Sequence, residues 1–479
     1  MRSLCYRIDF TGTEGDSPAA LGNRIAEAAL AYGRDDGSLE AQRYVDTSYE
    51  PVNPPLVVAQ PGATMTDPNR WQPLALSQIV TQNGVPLPGS VQRAIGSQWG
   101  HVRSFALPAS PDGVPIDPGP PPRLDEDRRT FERAAVDVIE ASSELDPADG
   151  VTIDIGPGAI GNNTLGTNDG YGFDENPTTG EPYAPDVVLR GDFVRALAEF
   201  WADGPASETP PGHWNTIANA VSDSPGFELR IGGAGAPVDR LEWDVKLYFA
   251  LNGAVHDAAI AAWGLKRSYD SARPISMIRY MGGLGQSSDP NGRSYDPDGL
   301  PLVPGLVEVV TERSSAPGER HQTLTDHVGE IAIRAWQGNP EDPTTQTGGV
   351  GWILATEWVP YQKSTFVTPA FPGFISGHST FSRSAAEVLT AITGSPYFPG
   401  GLSEWTIPAG SLGFELGPTQ DVVLQWAKYY DAADQAGVSR IFGGIHITAD
   451  DFSGRKVGSQ CGKEAWALAS AYFDGTALG

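Results

Sequence analysis

The chain has 479 residues, enough to bury a large core as one big domain or two coupled halves. Its formal charge is −27 and only six of its 32 basic residues are lysine, so nucleic acid and anionic membranes are set aside as partners. Two cysteines near opposite ends, Cys5 and Cys461, make no disulfide framework, and no apolar run approaches transmembrane length.

The first residues, Met1 to Phe10, reach charge too early for a signal peptide, so a soluble protein, cytoplasmic by default, is expected. Ser17 to Gly33 carries Leu21, Ile25, Ala28, Leu30 and Ala31, the pattern of one amphipathic helix. Thr47 to Pro122 is dense in proline and glycine and reads as loop that wraps other elements. Leu124 to Leu145 sets Phe131, Ala134, Ala135, Val138 and Ile139 on one helical face. A glycine- and asparagine-rich loop over Gly156 to Pro185 precedes a helix expected from Val187 to Asp203.

Arg240 to Trp263 is a long helix, and its nearly unbroken apolarity from Ala250 onward marks it as central. His256 within it, like His213 before it, reads as a core histidine. Ser287 to Gly305 holds four acidic or amide side chains without calcium-loop spacing, so it reads as a solvated loop. His321 to Gln337 and Val422 to Val438 are expected to be helical. The fold class is therefore mainly α, helical bundles with long Pro/Gly-rich loops. We divide it into a loop-rich and helical region over 1–186 and a catalytic helical-bundle region over 187–479.

Three stretches carry chemistry. Ser376-Gly377-His378 sits where a Pro/Gly-rich loop feeds a helix, a place whose free N–H groups and dipole suit an anion. Lys266 and Arg273 lie seven apart, two turns on one face if that stretch is helical. Arg440 precedes Gly443-Gly444, which permits a tight turn, and His446 and Asp450 stand at i and i+4, so the carboxylate can aim the ring. Two guanidinium forks, one ammonium, a hydroxyl and a helix N-terminus make a socket for a highly charged oxyanion.

In this chain order the patterns K-x6-R-P, S-G-H and S-R-x5-H-x3-D resemble the signature of the vanadium-dependent haloperoxidase and phosphatidic-acid-phosphatase superfamily. Ile375 stands where the family usually carries proline. The aromatic-rich run from Phe200 to Trp214 is similar to the bacterial haloperoxidase branch. The resemblance implies vanadate as cofactor, bound through His446 as the direct metal ligand and held by Lys266, Arg273, Ser376, Gly377 and Arg440, with Asp450 orienting His446. It implies that hydrogen peroxide and halide are the substrates, that His378 takes a proton as general base, and that Lys266 polarises the bound peroxide. Hypohalous acid would be the product, and the metal need not change oxidation state.

Phe371 lies where bromide-oxidising members often carry a second histidine, and Trp263 where chloride-oxidising members carry tryptophan. The resemblance thus implies a halide pocket of Trp263 and Phe371 and oxidation of chloride, bromide and iodide. Phosphate, a near isostere, can compete for the site. Two alternatives stay open: a soluble phosphatase with His446 as nucleophile, and a silent oxyanion-binding scaffold. A homodimer is also left open, and no carboxylate partner for His378 or Arg440 is identified.

Overall fold

The structure, a computed structural model, describes residues 7–205 and 207–477; Cys5 and the start of the N-terminal segment lie outside them. Nine α-helices are found among the described residues: α1 (Pro18–Arg34), α2 (Arg128–Ser143), α3 (Arg190–Phe200), α4 (Pro210–Ser222), α5 (Arg240–Tyr269), α6 (Pro274–Leu284), α7 (Gly377–Thr393), α8 (Tyr429–Phe442) and α9 (Thr448–Phe473). The mainly α expectation holds, with small two- and three-stranded sheets added around the bundle. No helix among the described residues is long and apolar enough to cross a membrane.

The centre is a bundle of α5, α7, α8 and α9. α9 carries Gly454, Gly458 and Gly462 at successive i, i+4 positions, and a Cβ at any of them would overlap α7, at Ser379, Thr380 O or Ser384 O. The missing side chains let the two backbones approach, which fixes the start of α7 against the start of α9. Around them pack Trp201, Trp214, Trp243, Leu251, Phe374 and Leu389, all buried. A second core joins α2, α6 and a central strand through Phe131, Ile139, Ile278, Met281 and Ile333. Both cores draw residues from either side of position 187.

α5 starts on its Asp239 cap, whose carboxylate accepts the Glu242 N–H at 2.9 Å. It ends at Asp270, which takes the left-handed conformation (φ 47°) and is held there by the Tyr49 hydroxyl at 2.6 Å and Arg70 at 2.8 Å. The wrapping role expected for residues 47–122 is visible here, and again where the Asp257 carboxylate accepts the N–H groups of Phe105, Ala106 and Leu107.

Three expectations need correction. His321–Gln337 is not a helix: a short 3₁₀ turn over Gln322–His327 leads into a strand, Ile331–Trp336, between Val307–Val309 and Val350–Leu354. Gly329 (φ 105°) breaks any helix there, and the strand, apolar and buried except at Arg334, is covered by α2. Val422–Trp426 is likewise a strand, paired antiparallel with Ser403–Ile407 and alternating in burial, before α8 begins. Val187–Leu189 forms a short strand with Thr152–Asp154, so the helix there starts only at Arg190. α1 forms as expected, capped by Ser17, but only Ala20 is buried and Leu21, Ile25 and Leu30 stay at the surface.

Candidate active site

The Ser376-Gly377-His378 stretch does open a helix. Ser376 is the N-cap of α7, its hydroxyl accepting the Ser379 N–H at 3.3 Å while its own N–H donates to Asp450 O at 3.0 Å. The Ser376 hydroxyl is therefore engaged in capping. Lys266 and Arg273 do not share a helical face: α5 stops at Tyr269, and Arg273 caps the next helix. A turn, not the 3.6-residue period, brings them together.

His446 follows the left-handed Gly444 (φ 72°) that reverses the chain after Arg440. Its Nδ1 meets Asp450 Oδ2 at 2.8 Å, and its Nε2 faces Arg273 Nη1 at 3.1 Å. A guanidinium can only donate, so Nε2 is the acceptor and Nδ1 carries the hydrogen. Arg273 also donates to Ile445 O at 2.7 Å and Phe371 O at 3.1 Å; its Nη2 is buried without a hydrogen-bond partner among the described residues. Lys266 Nζ donates to three backbone carbonyls, Pro372 O (2.9 Å), Gly373 O (2.8 Å) and Ile375 O (2.5 Å), so all its N–H groups are spent on the loop ahead of α7. Arg440 donates to Ser439 Oγ at 2.9 Å and to Ala198 O.

A cavity of about 50 Å³ lies between these elements, and Trp263, Phe371, Gly377, His378, Arg440 and His446 line it. The structure adds Gln82, Gln362, Phe366 and Phe381, which sequence patterns do not mark, to the same walls. Lys266, Arg273 and Ser376 sit immediately behind the lining, Lys266 being 5.1 Å from the Phe371 ring centre and 5.8 Å from that of Trp263. Trp263 and Phe371 pack together with ring centres 4.9 Å apart. Two larger cavities, about 1120 and 790 Å³, border this one, the first sharing Trp263 and Phe381 and the second Gln82, Phe366, Pro369 and Phe371.

The site is short of negative charge. Lys266, Arg273 and Arg440 are fully buried, with Asp450 and Asp203 as the nearby carboxylates. Burial lowers the Arg273 and Arg440 guanidinium groups to about 10, and burial together with Arg273 pushes the Lys266 ammonium far below its usual range. The same burial, with Arg273 and Lys266 beside it, holds His446 well below an ordinary histidine. Each cation would be relieved by an anion in the cavity. The unpartnered Arg273 Nη2, the Nε2 lone pair of His446 and the α7 N-terminus make the chemistry of that anion a multiply charged oxyanion, so the residues present fit vanadate.

Asp203 is the residue that sequence reasoning missed. It lies just after α3 in the left-handed conformation (φ 51°), and only 3% of it is exposed. Its Oδ2 stands 3.3 Å from His378 Nε2, close enough for ionic contact but poorly aligned for a hydrogen bond, and its Oδ1 meets His213 Nδ1 at 2.8 Å. Burial alone would raise its pKa; the two histidines outweigh burial and hold it below the usual value. Burial also lowers His378, against the pull of Asp203. The one available signal was that Asp203 and His213 both fall in the run from Phe200 to Trp214. His256, by contrast, is only half-buried and bonds Arg103 O at 3.0 Å.

Residues 246–475 match the family model of the VCPO second helical-bundle domain. No curated protein matches the sequence. Among solved structures, a holo-type bacterial vanadium-dependent chloroperoxidase is similar at 19% identity and a TM-score of 0.61, over 98% of this chain and 77% of the other. An apo-type bacterial vanadium-dependent chloroperoxidase is similar at 18% identity and a TM-score of 0.64, over 100% of this chain and 79% of the other. The chain therefore has the fold of the bacterial vanadium-dependent chloroperoxidases, and its residues 246–475 match the VCPO second helical-bundle domain.

Proposed function

We propose that the chain binds vanadate between α7, α8 and α9 and oxidises halide with hydrogen peroxide. The observation that carries this reading is that His446 and His378 line one small cavity with Arg440 and the first turn of α7. His446 would hold the group through Nε2, the nitrogen that Asp450 leaves free by engaging Nδ1. Arg273, through its unpartnered Nη2, and Arg440 supply positive charge, and the Gly377 N–H supplies a neutral donor. When bound, vanadate supplies a Lewis-acidic centre that activates hydrogen peroxide toward halide.

His378 turns Nε2 toward Asp203, which leaves Nδ1 on the cavity side to take a proton from peroxide and return it to the hypohalite as it forms, giving hypohalous acid. Lys266, its N–H groups committed to carbonyls, acts by its field across the Phe371 ring and not by donating into the cavity. Trp263 and Phe371 exclude water and so strengthen that field, which suits chloride, the halide hardest to oxidise, together with bromide and iodide.

The His446–Asp450 pair at 2.8 Å would equally serve a phosphatase in which His446 attacks phosphorus. The test loads the purified protein with orthovanadate and follows peroxide-dependent halogenation alongside aryl phosphate hydrolysis on the same sample. Halogenation that appears only after loading supports the proposal. Hydrolysis in the unloaded protein would support the phosphatase, and loss of both activities with retained vanadate an oxyanion-binding scaffold.

A further inference from the structure

His213 is not a plain core residue. It sits in the first turn of α4, capped by Thr209, and only 3% of it is exposed. Trp201 stacks on its ring at 4.7 Å, Phe200 meets it edge-on at 4.8 Å, and Trp405 lies 6.1 Å away. Its Nδ1 reaches Asp203 Oδ1 at 2.8 Å, while its Nε2 is buried in the aromatic cage with no hydrogen-bond partner among the described residues. Because a carboxylate oxygen accepts, His213 Nδ1 carries a hydrogen and donates it to Asp203.

We propose that His213 is a positioning residue for His378, acting through Asp203 in a buried His213–Asp203–His378 relay. The inference deepens the preceding reading and rests on it for the identity of the proton that His378 moves. The N–H of His213 occupies one oxygen of Asp203 and fixes the plane of the carboxylate. Only Oδ2 is then left for His378, whose Nε2 stands 3.3 Å away and can close to a full hydrogen bond when the site fills. That contact keeps the hydrogen of His378 on Nε2 and its lone pair on Nδ1, the form a base needs.

Sharing also sets strength. A carboxylate that accepts from His213 has less negative charge to offer His378, so His378 stays a weaker base than it would beside an unshared Asp203. The other charged or titratable groups that face the relay are Glu208 ahead of α4 and Arg440 on α8, with His446 and Lys266 beyond His378. All four are present in every variant below.

The test is the pH titration of the His378 ring, followed by NMR on the full chain with isotope-labelled histidine and identified by its absence in His378→Gln. His213→Asn keeps an N–H where Nδ1 was and should titrate with wild type. His213→Leu removes the donor and should raise the midpoint by roughly half to one pH unit. His213→Gln, whose amide reaches a different point, should shift the same way and stands in if the leucine variant does not fold. Coincident titration of wild type with the Leu or Gln variant, or an equal shift in the Asn variant, overturns the relay.

In vanadate-loaded protein the acid limb of kcat for bromide oxidation should move by the same amount, with KM for bromide unchanged. Because the NMR titration requires no turnover, absence of haloperoxidase activity in every sample would defeat the proposed function while the relay is still decided.

Discussion

Arg273 Nη1 lies 3.1 Å from His446 Nε2, and with Nδ1 of that ring engaged by Asp450 at 2.8 Å, Nε2 is a lone pair held in place and guarded by a cation. His446 Nε2 and the Arg273 guanidinium are thus the groups that would hold an oxyanion there, the one as a lone-pair donor and the other as a hydrogen-bond donor. Under the proposed function His446 and His378 would differ in kind, one aimed by Asp450 as a ligand and the other by Asp203 as a proton carrier.

The two roles separate by substitution. His446→Ala should leave no vanadate on the protein after gel filtration, measured by elemental vanadium per chain. His378→Ala should retain vanadate while turnover falls by roughly 10²-fold or more. Equal vanadium loss in both variants would mean that the roles are misassigned.

The contact of α9 with α7 makes an unusual prediction for a helix-interior glycine. On propensity alone Gly458→Ala should stabilise α9 by about 1 kcal/mol. A Cβ there would overlap Thr380 O, so the helices must separate, and the net effect should be destabilisation by about 1–3 kcal/mol. Urea unfolding of the two proteins gives the sign, and a more stable alanine variant would show that this interface is looser than described.

Asp434 on α8 supplies a pH signature away from the cavity. Burial raises its carboxyl to about 6 in spite of Arg455 and Arg383 beside it. Its folded pKa is above the unfolded 3.8, so the stability it contributes is present below about pH 4 and is lost as pH rises toward about 6. Asp434→Asn, which cannot titrate, should gain on wild type by the order of 1–3 kcal/mol between those pH values and hold level above them. Unfolding curves whose difference is independent of pH would show that Asp434 titrates normally.

Halide choice is tested at the packed pair Trp263 and Phe371. Loaded wild type should oxidise chloride at mildly acidic pH, and bromide and iodide as well. Phe371→His places a polar ring against Trp263 and admits water, so chloride turnover should fall by roughly tenfold or more while bromide turnover persists. No chloride oxidation in fully loaded wild type would make the protein a bromide or iodide oxidant.

What could be read from sequence was local. The start of α7 at Ser376 follows from a capping residue ahead of Ala, Val and Leu at helical spacing, and the His446–Asp450 pairing from an i, i+4 offset beside a glycine turn. Such features need only a few consecutive residues to agree. The strand Ile331–Trp336 escaped because a run buried on both faces has no period to tell strand from helix.

The tertiary structure alone decided the partners of the buried charges. Lys266 finds its three carbonyls only when the loop ahead of α7 folds over the end of α5, and Asp203 meets His378 only when the turn after α3 is seated on α7. Burying an ion is costly enough that its partners are obligatory, but which distant atoms meet that need depends on how helices pack, and no local pattern encodes it.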